Sequence, residues 1–139
     1  RWFELDALRI EVVIGDAREV VAARRDKFDA VLEDVFIGRE ATLRKPEGFP
    51  LPVLAHAKAR LERGGIVASN TIDEGLAVRR ALAARFPRVV EIGVAEHLNH
   101  IYIAGSAPLD ARCLRAEVAA NALLAPTLPR LTFRGVGTQ

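Results

Sequence analysis

The run Ile10-Glu11-Val12-Val13-Ile14-Gly15-Asp16-Ala17-Arg18 and the run Phe28-Asp29-Ala30-Val31-Leu32-Glu33-Asp34 each read as an apolar strand that gives way to an acid. Ile10, Val12, Val13 and Ile14 are β-branched and suit a pleated, buried surface. Between the runs, Ala17 to Arg25 has helical spacing, with Ala17, Val20, Val21 and Arg24 on one side. Strand, helix, strand in so short a span is a tight parallel crossover. In open α/β sheets, ligands collect at the carboxyl ends of strands. Asp16 and Asp34 both stand at such ends.

Downstream, Val35 to Pro50 reads as a long loop holding Gly38, Pro46, Gly48 and Pro50. A loop of this length inside a compact domain is commonly functional. Its cations Arg39, Arg44 and Lys45 read first as a solvated surface, with an anionic ligand as the alternative. Leu51 to Arg63 has amphipathic spacing through Leu54, Ala57 and Leu61, and Gly64-Gly65 is expected to stop that helix. Ile66 to Ser69 is a third strand leading into Asn70-Thr71. Thr71 or Asp73 is expected to cap the next helix, which runs to Phe86. Arg88 to Ala95 and Leu98 to Ala104 pair as a hairpin across Glu96-His97. Asp110 caps a last helix to about Leu124, which Pro126 and Pro129 break, and Leu131 to Arg134 is a short extended tail. Alternating strands and helices predict an α/β fold. Its sheet is expected to be mostly parallel, with a C-terminal antiparallel hairpin.

Composition narrows the function classes. The chain has 139 residues, the size of one ordinary domain, and half are hydrophobic. No run of about eighteen apolar residues marks a membrane span. The net charge is +2, and the arginines are scattered rather than massed. With no aromatic interleaving, this is a poor footprint for nucleic acid. Cys113 is the only cysteine, so no disulfide forms within the chain. It reads as a buried core thiol in a reducing cytoplasm. His97 and His100 lack a third ligand for a metal and read as turn and strand positions, and His56 as an exposed helix position.

The ordered set Gly15-Asp16-Ala17, Phe28 to Asp34, Leu61-Glu62-Arg63-Gly64-Gly65 and Ile66-Val67-Ala68-Ser69-Asn70, closed by the hairpin, resembles a known family. It is similar to the spermidine/spermine synthases within the class I S-adenosylmethionine-dependent methyltransferase-like fold. The resemblance spans about residues 2 to 105. It implies that residues 1–139 form the C-terminal portion of such a domain, a partial Rossmann-like fold without the N-terminal strands and the glycine-rich loop. It also implies that the run at Arg9–Ile14 has lost its neighbouring strands. Such a chain is expected to be marginal, dimeric or accompanied by upstream residues, and inactive by itself. Trp2 and Phe3 are then rings that are exposed or bury a subunit contact.

For the site, the resemblance implies that Asp16 accepts from the adenine amino group and that the Ala17 amide reads a ring nitrogen. The donor would be S-adenosylmethionine or its decarboxylated form, with no metal. Asp34 would orient and deprotonate the attacking amine of a polyamine or other small acceptor. Val35, Asn70 and Thr71 would line the acceptor pocket. Plain readings stand beside these. Asp16 suits the N-cap of the helix at Ala17, and Thr71 suits a cap of its own. The chain departs from the family after Asp34: Val35-Phe36-Ile37 replaces two serines and a second acid. An apolar acceptor side points, as the runner-up reading, to a methyltransferase with a non-polyamine acceptor. The missing glycine-rich loop points to a non-catalytic remnant.

Overall fold

The computed structural model describes residues 8–39, 42–48 and 50–137. Trp2, Phe3 and Glu40 lie outside the described residues. In chain order the elements are α1 (Ala17–Ala23), β1 (Phe28–Glu33), α2 (Leu51–Ala59), β2 (Leu61–Thr71), α3 (Gly75–Ala83), β3 (Arg88–Val94), β4 (His100–Gly105) and α4 (Ala111–Ala120). A 3-10 turn over Ala125–Arg130 leads into β5 (Leu131–Val136).

The five strands form one sheet in the order β1-β2-β4-β3-β5. Only β1 and β2 pair in parallel; β2–β4, β3–β4 and β3–β5 are antiparallel. The expectation of a mostly parallel sheet is therefore overturned. The hairpin is the reason. β1, β2 and β3 do point the same way, as the helical crossovers between them require. β4 reverses after β3 and inserts between β2 and β3, so both of its pairings are antiparallel. The tail read as merely extended then returns as β5 along the far side of β3.

The core lies where α2 and α3 cover the sheet. Leu54 and Ala57 from α2 and Val78 and Leu82 from α3 meet Phe86, Val67, Val89, Tyr102 and Ala104. Period-two alternation supplies the sheet side: Gly65, Val67, Ser69 and Thr71 are buried along β2, with partly exposed residues between. Tyr102 is buried, and burial holds its hydroxyl above the usual phenol range, with Glu91 adding to the effect.

Several local expectations change. The helix expected to reach Arg63 ends at Ala59, and Gly64-Gly65 lies inside β2. The glycines serve a strand irregularity: Phe28 pairs with Leu61 but Ala30 pairs with Ile66. Gly64 takes φ +86°, and a Cβ on Gly65 would stand 3.0 Å from the carbonyl oxygens of Phe28 and Asp29. The run Arg9–Ile14 joins no strand ladder, and Val12 and Ile14 are 71% and 97% exposed. Neither Thr71 nor Asp73 caps α3; Glu74 holds that position without a side-chain cap bond. Cys113 is exposed rather than a core thiol. Asp110 does cap α4, accepting from Arg112 and Cys113 amides. No helix among the described residues is long and apolar enough to cross a membrane.

Candidate functional site

The site is built at the C-terminal end of β1 and the N-terminal end of α1. Asp16 is the N-cap of α1, and its Oδ1 accepts from the Arg18 amide at 2.8 Å. The Arg18 guanidinium grips the same carboxylate, Nε to Oδ1 at 3.0 Å and Nη2 to Oδ2 at 2.7 Å. The Arg18 side-chain bond first, and its backbone amide second, hold the Asp16 carboxyl down at about 2. The cap reading is thus realised. A carboxylate offers about four lone-pair sites, so Asp16 keeps acceptor capacity beyond these three bonds. Ala17 is the first residue of α1.

Across from this cap stand Val35 and Pro46 from the long loop. Gly15, Asp16, Ala17, Arg18, Val35 and Pro46 line a cavity of about 330 Å³. Three of the residues singled out from sequence, Asp16, Ala17 and Val35, therefore meet around one space.

Asp34 follows β1 and is exposed. Its Oδ1 accepts from Asn70 Nδ2 at 2.8 Å, and Asn70 Oδ1 accepts from Asn99 Nδ2 at 3.1 Å. Asn70 is thereby fixed at both ends of its amide, and the relay sets the orientation of the Asp34 carboxylate. Thr71 goes elsewhere. It is fully buried on the core face, and its hydroxyl donates to the His100 carbonyl. The alternation of β2 separates the two: Asn70 faces Asp34 and Thr71 faces α3.

One group beside the site escaped the sequence reading. Glu33 is 4% exposed, and its Oε1 lies 2.7 Å from Lys45 Nζ in a buried ion pair. Glu33 Oε2 accepts a short bond from the Ser69 hydroxyl, and Oε1 accepts from the Val35 amide at 2.9 Å. Lys45 Nζ also donates to the Val35 carbonyl at 3.3 Å and sits 4.2 Å from the centre of the Phe36 ring. Lys45 is thus no solvated loop cation. Arg39 and Arg44 are exposed, as read. A signal was present: Glu33 is two residues beyond Val31, on the same inward parity, and a carboxylate there needs a cation and a donor. Asn99 carried no comparable signal.

Nearby acids and histidines are paired locally. Glu74 accepts from the amides of Lys45 and Ile72. Burial opposes its ionisation, but its own backbone amide, with those of Lys45 and Ile72, holds its carboxyl below the usual range. His100 Nδ1 lies 2.8 Å from Glu91 Oε1, and His97 Nε2 lies 3.3 Å from Arg130. Among the described residues no group of three or more His, Cys, Asp or Glu is placed to hold a metal ion.

No protein-family model matches the chain, and no curated protein sequence matches it. A solved structure does: the crystal structure of a probable spermidine synthase from Corynebacterium glutamicum ATCC 13032, with TM-score 0.65 and 19% identity. The match covers 92% of this chain and 49% of that one. The chain thus spans about half the length of that protein and is similar to it in fold over that half.

Proposed function

We propose that this chain is part of a spermidine synthase-like transferase that binds an adenosyl sulfonium nucleoside, S-adenosylmethionine or its decarboxylated form, in the cavity between the α1 cap and Val35-Pro46. The observation that carries the reading is the convergence of Asp16, Ala17 and Val35 on that one cavity. The fold similarity to half of a probable spermidine synthase supports it. Asp16, ionised through its bonds to Arg18, is the acceptor for an exocyclic amino group. The Ala17 backbone, at the start of α1, reads the neighbouring ring nitrogen.

The reaction is a displacement at a sulfonium-bound carbon. The acceptor amine's lone pair forms the new C–N bond as the C–S bond breaks, and sulfur leaves as a neutral thioether with that electron pair. The proton then lost from nitrogen passes to Asp34. Because the leaving group is already cationic, alignment of the nucleophile is the main demand on the protein. Asp34, oriented by Asn70 and Asn99, supplies that alignment and attracts an ammonium.

Ile37, three residues after Asp34, is 42% exposed at the position where the family's second acid would suit a diamine. This favours, as a second reading, methyl transfer to a less polar acceptor. Calorimetric titration with methylthioadenosine, S-adenosylmethionine and decarboxylated S-adenosylmethionine separates the readings. Preference for the decarboxylated donor supports aminopropyl transfer, preference for S-adenosylmethionine supports methyl transfer, and no binding of any of the three defeats both.

A further inference from the structure

We propose that Lys45 is a positioning residue: its buried ammonium is a latch that fixes one wall of the cavity beside α1. The affinity part of this proposal rests on the nucleoside-binding reading above; the loop-ordering part stands without it.

The loop between β1 and α2 is largely solvent-facing. Arg39, Thr42, Leu43, Arg44, Glu47 and Gly48 are all exposed. Such a segment has little apolar burial of its own to hold a fixed path. Two devices hold it. Ile37 and Arg44 exchange backbone bonds at 2.8 and 2.9 Å, which closes the tip of the loop on itself. Lys45 ties the closed tip to the start of α3 by its amide and to the sheet by its ammonium. Its amide donates to Glu74 Oε1 at 3.1 Å, and its ammonium reaches Glu33 Oε1 and the Val35 carbonyl. Glu33 in turn accepts from the Val35 amide and the Ser69 hydroxyl, so its carboxylate links β1, β2 and the loop.

The cavity wall is made of the residues these bonds grip. Val35 is bonded at both its amide and its carbonyl to the Glu33–Lys45 pair, and Pro46 follows Lys45 in the chain. The opposite wall, Gly15 to Arg18, is held by the α1 cap and makes no use of Lys45. The latch therefore helps to set the distance between the two walls. It also sets the exit of Asp34, which lies between Glu33 and Val35. A pair serving stability alone would not need to bracket the lining residue from both sides.

The test compares wild type with Lys45→Met, which keeps the apolar stem, and with the double variant Glu33→Gln/Lys45→Met, which leaves no uncompensated charge. The readouts are amide hydrogen exchange and methylthioadenosine affinity. The expected result is faster exchange at the Val35, Ile37 and Arg44 amides in both variants, with the Phe86 amide in the core unchanged in the double variant. Where the wall is formed only about a tenth of the time, methylthioadenosine binds about tenfold more weakly. Unchanged exchange in the loop of the double variant overturns the latch. In the double variant, acceleration at Phe86 equal to that of the loop amides also overturns it, because the pair would then serve global stability only. Loosened loop amides in a protein whose wild type binds no methylthioadenosine uphold the latch and defeat the nucleoside reading instead.

Discussion

Glu33 and Asp34 are adjacent in the chain and meet opposite surroundings. Glu33 is buried against Lys45 and Ser69, whereas the next carboxylate is exposed and bonded only to Asn70 among the interactions described. Strand alternation produces this split, since successive side chains point to opposite faces. One acid thus becomes part of the frame while its neighbour stays available to solvent and ligand.

The buried member of the pair has a large expected effect on stability. Replacing Lys45 with alanine leaves the Glu33 carboxylate buried without its cation, which costs about 3–5 kcal/mol. The double replacement Glu33→Leu/Lys45→Met removes both charges and is expected to recover most of that loss. Urea denaturation of the two variants against wild type gives the comparison. Equal destabilisation in both would contradict the ion-pair account.

Under the proposed function, the exposed member acts on turnover of the full-length protein. Asp34→Asn keeps a partner for the Asn70 relay but removes the negative charge and the proton acceptor. Turnover is expected to fall about 100-fold or more, the scale of general-base loss, with donor affinity nearly unchanged. Steady-state rates alongside donor calorimetry check this. A parallel loss of donor binding would place Asp34 in the nucleoside site rather than at the acceptor.

Asp16 predicts a pH response. Its folded-state carboxyl, held at about 2 by Arg18, lies below the ordinary value of 3.8. A depressed carboxyl contributes stability that is present above the ordinary value and is lost as pH falls through the folded value, so the window is about 4 down to 2. Arg18→Ala is expected to move the Asp16 titration up toward 3.8 while the cap bond from residue 18's amide keeps part of the shift. Carbon-detected NMR of the carboxyl measures it; an unmoved titration would show that the guanidinium contributes nothing.

Gly65→Ala tests the irregular pairing of β1 with β2. The new methyl would meet two backbone oxygens at 3.0 Å, and backbone cannot swing aside as a flexible side chain does. The expected destabilisation is about 1–3 kcal/mol by chemical denaturation. A neutral substitution would mean that the strands separate there without cost.

Much of the element order was legible in the sequence because period and punctuation agree. The Phe28 strand, the hairpin around Glu96-His97, and the caps at Asp16 and Asp110 all follow from short-range chemistry. Neighbour order in the sheet was not legible in the same way. The insertion of β4 between β2 and β3 depends on which faces the helices cover, and alternation alone suggests parallel neighbours. Gly64-Gly65 misled for a related reason: two glycines suit a helix stop, but here Gly64 takes a positive φ and the missing Cβ of Gly65 leaves room for the β1 backbone. At the candidate site, Asp34 and Asn70 stood out by position at strand ends and Asp16 as a helix cap. Lys45 did not, because a lysine in a glycine- and proline-rich loop reads as solvated until the loop is seen folding back over Glu33.

The central claim is that the walls at Asp16-Ala17 and Val35-Pro46 enclose an adenosyl nucleoside. The most direct measurement is an NMR titration of the protein with methylthioadenosine, following backbone amides. The account predicts saturable shifts at Asp16, Ala17, Arg18 and Val35, with little change in β5 residues such as Phe133. Absence of saturable shifts at those four residues, or shifts confined to another surface, would contradict it.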